Sequence, residues 1–253
     1  FLSPRMFSAK LAGFPPLRSI FSRPWTRPLL RSLHEEAARQ RKYQVVVAAT
    51  RDMGIGRDGN LPWTLPSDIK FFKELTTSTM DSQKRNAVVM GRGTWESIPP
   101  EYRPLAGRLN VVISRSPDFL SSAVNDEILV SNGVSSALVL LAKQPYSGSI
   151  ETVFVIGGGQ ILRETLNGEG CEAIHITEIE NSIECDIFIP FVDSSQFVRW
   201  YASSPFIEQG IRFRFSTYIR RKEDMNINEL SAEDVAFLPE KVRVKRPLEL
   251  SIS

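Results

Sequence analysis

Residues 53–75 read MGIGRDGNLPWTLPSDIKFFKEL, and the reading of this stretch decides how the rest of the chain is placed. Its second half has the pattern of a helix. Pro66 is tolerated in a first helical turn, and Ser67 is the expected N-cap. Asp68, Phe71, Phe72 and Leu75 recur at i, i+3, i+4 and i+7, so they share one face. An apolar face turns inward and takes Asp68 with it, and a buried carboxylate is costly unless something pairs with it. Two readings stay open here. The acid serves the dipole of its own helix, or it is held in a cleft to meet a cationic or amidine-like ligand.

The first half of the stretch contains G-x-G-x-x-G, from Gly54 to Gly59, after an apolar run at 43–50. A dinucleotide fingerprint also needs a helix to begin at once, so that its N-terminus meets the pyrophosphate. Here Asn60-Leu61-Pro62 follows and opposes a helix. The spacing therefore predicts a mobile surface loop, of the kind that acts as a lid beside a functional acid.

Outward from this stretch the chain alternates between strand and helix patterns. Strands are expected at 43–50, 86–90, 109–114, 127–130, 152–156 and 171–177. Short helices are expected after Gly91-Arg92-Gly93-Thr94-Trp95, at 134–142 and at 160–166. Residues 197–203 and 211–218 alternate around Gln209-Gly210 and predict a hairpin. The fold class is α/β: a mixed, mostly parallel twisted sheet with crossover helices and a C-terminal antiparallel hairpin. Ligands of such sheets bind beyond the carboxyl ends of the strands.

Composition narrows the function classes. The chain has 253 residues, of which 42% are hydrophobic and 24% charged, the range of a soluble globular protein. A net charge of +2, partly located in the N-terminal arm, gives no ground for nucleic-acid binding. No apolar run approaches the ~20 residues that span a bilayer, so no membrane partner is expected. Two histidines, His34 and His175, exclude a His-rich metal site and disfavour a His-based serine triad. Cys171 and Cys185 lack metal or redox spacing and read as reduced intracellular thiols.

Residues 1–42 read as an arm rather than a folded element. Before Glu35 there is no acid, while Arg5, Lys10, Arg18, Arg23, Arg27 and Arg31 stand among serines and prolines. This is the composition of an organellar transit peptide, and the excess of arginine over threonine favours the mitochondrion, with plastid or cytosol as alternatives. A basic arm without a role is the plain alternative. Residues 43–221 form the expected domain, and 222–253 a charged linker and tail.

Several strand ends carry phosphate-friendly chemistry. The strand at 152–156 runs into Gly157-Gly158-Gly159 and a helix start, which lets backbone N–H groups approach an anion. A tight turn would explain the same glycines. Gly91-Arg92-Gly93-Thr94 repeats the arrangement with a cation, and Ser114-Arg115 adds a hydroxyl and a guanidinium. Together they suit a phosphorylated dinucleotide, and the extra Arg and Ser favour NADPH over NADH.

These residues together resemble the dihydrofolate reductase family over roughly 43–220. The motifs are MGIGRDGNLPW with P-S-D, VVMGRGTWESIP, RPLAGRLNVVISR, VFVIGGGQI and ECDIFIP, in that order. VVVAAT, AIHITEIE and the arm look most like the reductase part of the plant bifunctional reductase–thymidylate synthase group. The resemblance implies reduction of dihydrofolate to tetrahydrofolate with NADPH. It makes Asp68 the acid that hydrogen-bonds the pterin amidine and favours protonation at N5. Trp63 becomes the tryptophan that helps hold an ordered water, and Thr177 the threonine bonded to the acid. Val46 and Ile156 match strand-end carbonyl positions, Phe72 and Ile98 the apolar walls, and Arg108 the arginine that binds the glutamate carboxylate. For the cofactor, Ala48 with Gly54, Ile55, Gly56, Arg57, Asp58, Gly59 and Asn60 match the nicotinamide and lid region. Arg92, Gly93, Thr94, Ser114, Arg115 and Ser116 match the adenosine-phosphate side. Gly157, Gly158, Gly159, Gln160, Ile161 and Leu162 match the remaining pyrophosphate contact.

Two departures from the family pattern stand out. Gly93 occupies a position that is usually basic. Residues 235–240, VAFLPE, look like the entry to a synthase domain that KVRVKRPLELSIS does not continue. They motivate an alternative: a weak or inactive paralogue that binds and regulates a full-length reductase–synthase. A third reading, a same-fold reductase of another pterin-like or pyrimidine substrate, is opposed by Asp68 and Arg108.

Overall fold

The computed structural model describes residues 40–116, 119 and 127–222. The expected arm before residue 40 and the expected tail after residue 222 lie outside the described residues. Ahead of the first strand, the Arg41 guanidinium donates to the carbonyls of Ser147, Ile150 and Glu151.

The strands are β1 (Tyr43–Thr50), β2 (Gly54–Gly56), β3 (Arg85–Gly91), β4 (Arg108–Ile113), β5 (Ile128–Ser131), β6 (Ile150–Gly157), β7 (Cys171–Ile179), β8 (Ile187–Phe188), β9 (Phe197–Ala202), β10 (Phe206–Glu208) and β11 (Ile211–Arg220). The described α-helices are α1 (Pro66–Thr77), α2 (Arg92–Ser97), α3 (Val134–Leu141), α4 (Tyr146–Ser149) and α5 (Gly159–Thr165), with one 3-10 turn at Pro100–Tyr102. One nine-stranded sheet runs in the order β10-β11-β7-β1-β6-β3-β4-β5, with β9 also on β11. From β7 to β5 every pairing is parallel, while β11 is antiparallel to β7, β9 and β10. The expected mixed, mostly parallel sheet is what forms.

Successive residues of a strand point to opposite faces, and the core divides accordingly. Val45, Val89, Val111 and Val155 pack on one face with Leu138 and Leu141 of α3 and Leu162 of α5. Val46, Val88, Val112 and Phe154 pack on the other with Phe71 and Leu75 of α1 and Trp95 of α2. The parallel strands are therefore buried on both sides, which explains their continuous apolar runs. Asn86, fully buried at the start of β3, pins the end of α1. Its amide donates to the carbonyls of Thr76 (3.1 Å) and Ser78 (2.8 Å) and accepts from the Thr152 N–H (3.0 Å).

Four local expectations change. Ser67 is not the N-cap: Leu65 takes that position without a side-chain bond, and Ser67 turns its hydroxyl and N–H to Glu208. The glycine loop is not free along its length, because Gly54–Gly56 forms β2 against β8. A Cβ at Gly54 would come within 2.7 Å of the Cys185 side chain, so this close approach needs glycine. The C-terminal hairpin is tighter than expected. Gln209-Gly210 joins β10 to β11, and β9 pairs with the far half of β11. The helix after the triple glycine starts at Gly159, within the glycines themselves.

Candidate active site

Asp68 lies in the first turn of α1, on the sheet face that also carries Thr177 of β7. The Thr177 hydroxyl donates to Asp68 Oδ1 at 2.6 Å. The residue as a whole is half-buried, but its carboxyl group is enclosed. Burial pushes the carboxyl above the usual aspartate range, the Thr177 bond opposes this, and the nearby charge of Glu208 adds to the rise. The site thus holds an acid that keeps its proton to higher pH than an exposed aspartate does. Trp63 is buried against the same apolar layer, and its indole N–H has no partner among the described residues. A buried donor without an acceptor is costly, and it fits a bound water or ligand at this point.

From Asp68 the same helix, α1, leads toward Arg108. Phe72 is one turn on and Thr76 two turns on. Arg108, at the start of β4, donates from Nη1 to Thr76 Oγ1 at 2.8 Å and from Nε to the Ala106 carbonyl at 3.1 Å. Its guanidinium carbon stands 5.7 Å from the centre of the Phe72 ring. Arg108 is 5% exposed, and burial lowers its pKa to about 10, so it remains charged at neutral pH. No carboxylate among the described residues pairs with it, and a buried guanidinium in that state suits an anionic ligand. Eight residues at 1.5 Å each set the acid and the guanidinium site about 12 Å apart along the helix. Phe72, Ile98, Ala48 and Ile156 are half-buried and pack onto the layer that includes Val46, so they wall one side of the sheet. The structure therefore brings the expected substrate residues onto one face.

The strand ends beside this face form the second half of the site. Pairing of β1 to β6 stops at Val45↔Val155, whereas β1 stays paired with β7 to Thr50↔Ile179. Val46 and Ile156 follow the last paired residues, where the two strands part and backbone groups become available. Met90↔Gly157 and Gly91↔Ile113 put the glycine-rich end of β3 between the ends of β6 and β4. Gly157 has φ of 134°, a conformation that favours glycine, and its peptide to Gly158 is cis. A Cβ at Gly158 would meet Thr94 Oγ1 at 3.0 Å, and one at Gly91 would meet Ile161 at 3.4 Å. Two glycine turns and a threonine hydroxyl therefore converge in a cradle that side chains would fill, which fits the pyrophosphate of a dinucleotide.

The remaining cofactor candidates are placed as follows. Arg92 is exposed and pairs with Glu96 at 3.5 Å. Gly93 is exposed, with open space where a Cβ would stand. Ser114 is buried and its Oγ accepts the Ser116 N–H at 3.2 Å, while Arg115 is exposed beside them. Gln160 is exposed. Leu162 faces the core, and its N–H donates to the Gly158 carbonyl, so it serves α5 rather than the cradle. Ile161 is likewise a core side chain. Ile55 is half-buried, and Arg57 through Asn60 are exposed at the tip of the loop.

Sequence reasoning missed what tethers that tip. The Asp58 N–H donates to Asp186 Oδ2 at 2.8 Å, the Asp186 N–H to the Gly56 carbonyl at 3.0 Å, and Arg57 pairs with Glu184. ECDIFIP was visible as a motif, but its partner lies more than a hundred residues away. Leu61 and Ile69, 57% and 60% exposed, were also missed. Ile69 follows Asp68 directly and Leu61 precedes Trp63 by two residues, and large apolar side chains left in water near the acid's helix are the signal that points to them. His175 and Cys171 are not reactive groups. His175 is buried between Gln44 and Thr217, with its pKa lowered to about 3 by burial. Burial pushes the Cys171 thiol up to about 12.

Fold and site together define an α/β protein with a glycine cradle at its strand ends and an enclosed acid on the helix beside them. The family model for dihydrofolate reductase matches residues 42–220. The dihydrofolate reductase of Aedes albopictus is 35% identical over 182 residues, covering 70% of this chain and 97% of that protein. The solved Schistosoma mansoni dihydrofolate reductase superposes with a TM-score of 0.62 at 34% identity, covering 71% of this chain and 98% of that one. The bifunctional dihydrofolate reductase-thymidylate synthase of Glycine max is 55% identical over 219 residues, covering 80% of this chain and 41% of that protein. The chain thus spans less than half the length of that bifunctional relative. It belongs to the dihydrofolate reductase family.

Proposed function

We propose that this chain reduces 7,8-dihydrofolate to 5,6,7,8-tetrahydrofolate with NADPH. The observation that carries the reading is the pairing of opposites along α1. An enclosed carboxyl bonded to Thr177 stands at one end, and a buried guanidinium with no carboxylate partner among the described residues stands at the other. A ligand with an amidine-like head, an aromatic middle and a carboxylate tail about 12 Å away meets all three parts.

Asp68 accepts the amidine edge of the pterin and holds a proton in reach of N5, through water organised with the Trp63 indole. Phe72, Ile98 and Ile156 exclude solvent around the ring, and Arg108 fixes the tail, so that the reacting carbon is held in place. The glycine cradle of Gly157 and Gly158 with Thr94 would hold the NADPH pyrophosphate, and Arg92, Ser114, Arg115 and Ser116 its adenosine phosphate. When bound, NADPH supplies the hydride.

The test is NADPH oxidation by the full chain with dihydrofolate, and separately with a pyrimidine substrate of same-fold reductases. Turnover with dihydrofolate alone, blocked by methotrexate, supports the reading. Turnover with the pyrimidine alone would overturn it. A regulatory role toward a full-length reductase–synthase rests on Gly93 and would require the chain to co-purify with such a partner while lacking turnover. We also propose mitochondrial import, on the acid-free, arginine-rich composition before Glu35. Fusion of residues 1–42 to a fluorescent reporter tests it, and a reporter that stays cytosolic or enters plastids would contradict it.

A further inference from the structure

Helix α1 begins without a cap of its own. Leu65 contributes no side-chain bond, and the first-turn N–H of Ser67 needs an acceptor from elsewhere. It comes from the other end of the domain. Glu208, the last residue of β10, accepts the Ser67 N–H at 3.1 Å on one carboxylate oxygen and the Ser67 hydroxyl on the other. Both contacts fall on the residue that precedes Asp68.

The placement of Glu208 is enforced by aromatic packing. Phe206 of β10 lies 5.7 Å from Phe213 and 5.3 Å from Phe215, ring centre to ring centre. Phe215 in turn stacks on Phe71 of α1 at 4.2 Å, with the planes 22° apart. The pair Phe215↔Thr177 puts this stack in register with the threonine that bonds the acid. The hairpin is therefore docked on the acid's helix, and its tip places a carboxylate on the first turn.

We propose that Glu208 is a positioning residue for Asp68: it fixes the first turn of α1 so that Asp68 stays on Thr177, and it sets a second negative charge beside the acid. This rests on the reductase reading of the site. The like charge of Glu208 acts in the direction that keeps the Asp68 proton on. Of the groups packed around Asp68, Thr177 on β7 and Trp63 are neutral. Lys70 of α1 is exposed and pairs with Glu74 at 4.0 Å. Glu178 of β7 and Glu180 just after it are engaged by Tyr218, Arg212 and Arg214. Among the described residues, Glu208 is the charged group whose repulsion acts on the acid, and it reaches the helix through the Ser67 bonds. A cap and nothing more is the competing role, since a carboxylate at a helix N-terminus stabilises the helix by itself.

The two roles separate in the pH profile of turnover. Glu208→Gln keeps an acceptor for Ser67 and removes the charge. Glu208→Ala removes both, and Ser67→Ala removes only the hydroxyl donor. With the full chain, NADPH and dihydrofolate, the limb of kcat/KM that reports proton availability moves to lower pH in Glu208→Gln and Glu208→Ala. It stays in place in Ser67→Ala, and Glu208→Gln causes no further shift in an Asp68→Asn background. Lower Tm in Glu208→Ala with an unmoved limb in both Glu208 variants would overturn the proposal and leave a cap. A parent without dihydrofolate turnover would instead overturn the reductase reading. If Glu208→Ala does not fold, the comparison of parent, Glu208→Gln and Ser67→Ala still decides.

Discussion

At the scale of single residues the site is a set of opposed demands. Asp68 is less stable as a carboxylate in the folded chain than in water, since enclosure outweighs the bond from Thr177. The folded chain therefore holds a proton over a pH window in which the unfolded chain has lost it, and stability falls as pH rises through that window. Asp68→Asn removes this loss. Its Tm near neutral pH should exceed the parent's, and the gain should vanish below the ordinary aspartate pKa of 3.8, as followed by calorimetry. A variant that melts lower than the parent at neutral pH would mean that the carboxylate serves the fold. Arg108 makes the opposite demand, a buried cation that needs an anion. Arg108→Lys keeps the charge but loses the fork that meets a carboxylate with two bonds. The expected result is a rise in the KM for dihydrofolate of about tenfold or more, on a scale of ~1.5–3 kcal/mol for bonds to charged groups, with kcat changed less. A KM within twofold of the parent would remove Arg108 from the substrate site.

At the scale of elements, what was legible in the sequence was what rests on local pattern. The 3.6-residue period put Asp68 on the inner face of α1, and the apolar runs gave the parallel strands within a residue or two. Proline and asparagine after the glycine loop correctly opposed a helix there. What could not be read depends on contacts far apart in the chain: the Ser67 bond to Glu208, the pairing of β2 with β8, and the Asp58 bond to Asp186. No local propensity marks such partners. The Arg108 site is intermediate, since only the family resemblance singled it out and the structure then supplied its burial. Helix α2 carries the clearest local anomaly. Gly93 sits inside it without steric cause, where glycine costs about 1 kcal/mol relative to alanine. Gly93→Lys should therefore raise Tm slightly and tighten NADPH binding several-fold, as measured by fluorescence titration. Unchanged affinity would show that this face of α2 does not meet the phosphates.

At the scale of the whole molecule, the sheet is held by polar groups as well as apolar layers. His175 of β7 is bonded to Gln44 of β1 (2.7 Å) and Thr217 of β11 (3.0 Å), so one imidazole links three strands beneath the site. Its folded pKa of about 3 lies well below the ordinary 6.5. The unfolded chain takes up a proton below pH 6.5 while the folded chain does not, so stability is full above 6.5 and is lost as pH falls toward about 3. In that window the loss approaches about 1.4 kcal/mol per pH unit from this group. His175→Gln should flatten the acid limb of stability against pH, whatever it does to the maximum. An equally steep limb in urea titrations would assign acid sensitivity to other groups.

In the proposed reaction, the acid on α1 serves proton delivery while NADPH reduces dihydrofolate. The decisive comparison is the rate of NADPH oxidation with dihydrofolate by the full chain and by Asp68→Asn near neutral pH, with NADPH affinity measured in parallel. A parent that turns over and a folded variant slowed by about a hundredfold or more are expected, with the affinity for NADPH unchanged. A variant that turns over as fast as its parent would contradict that role of the acid.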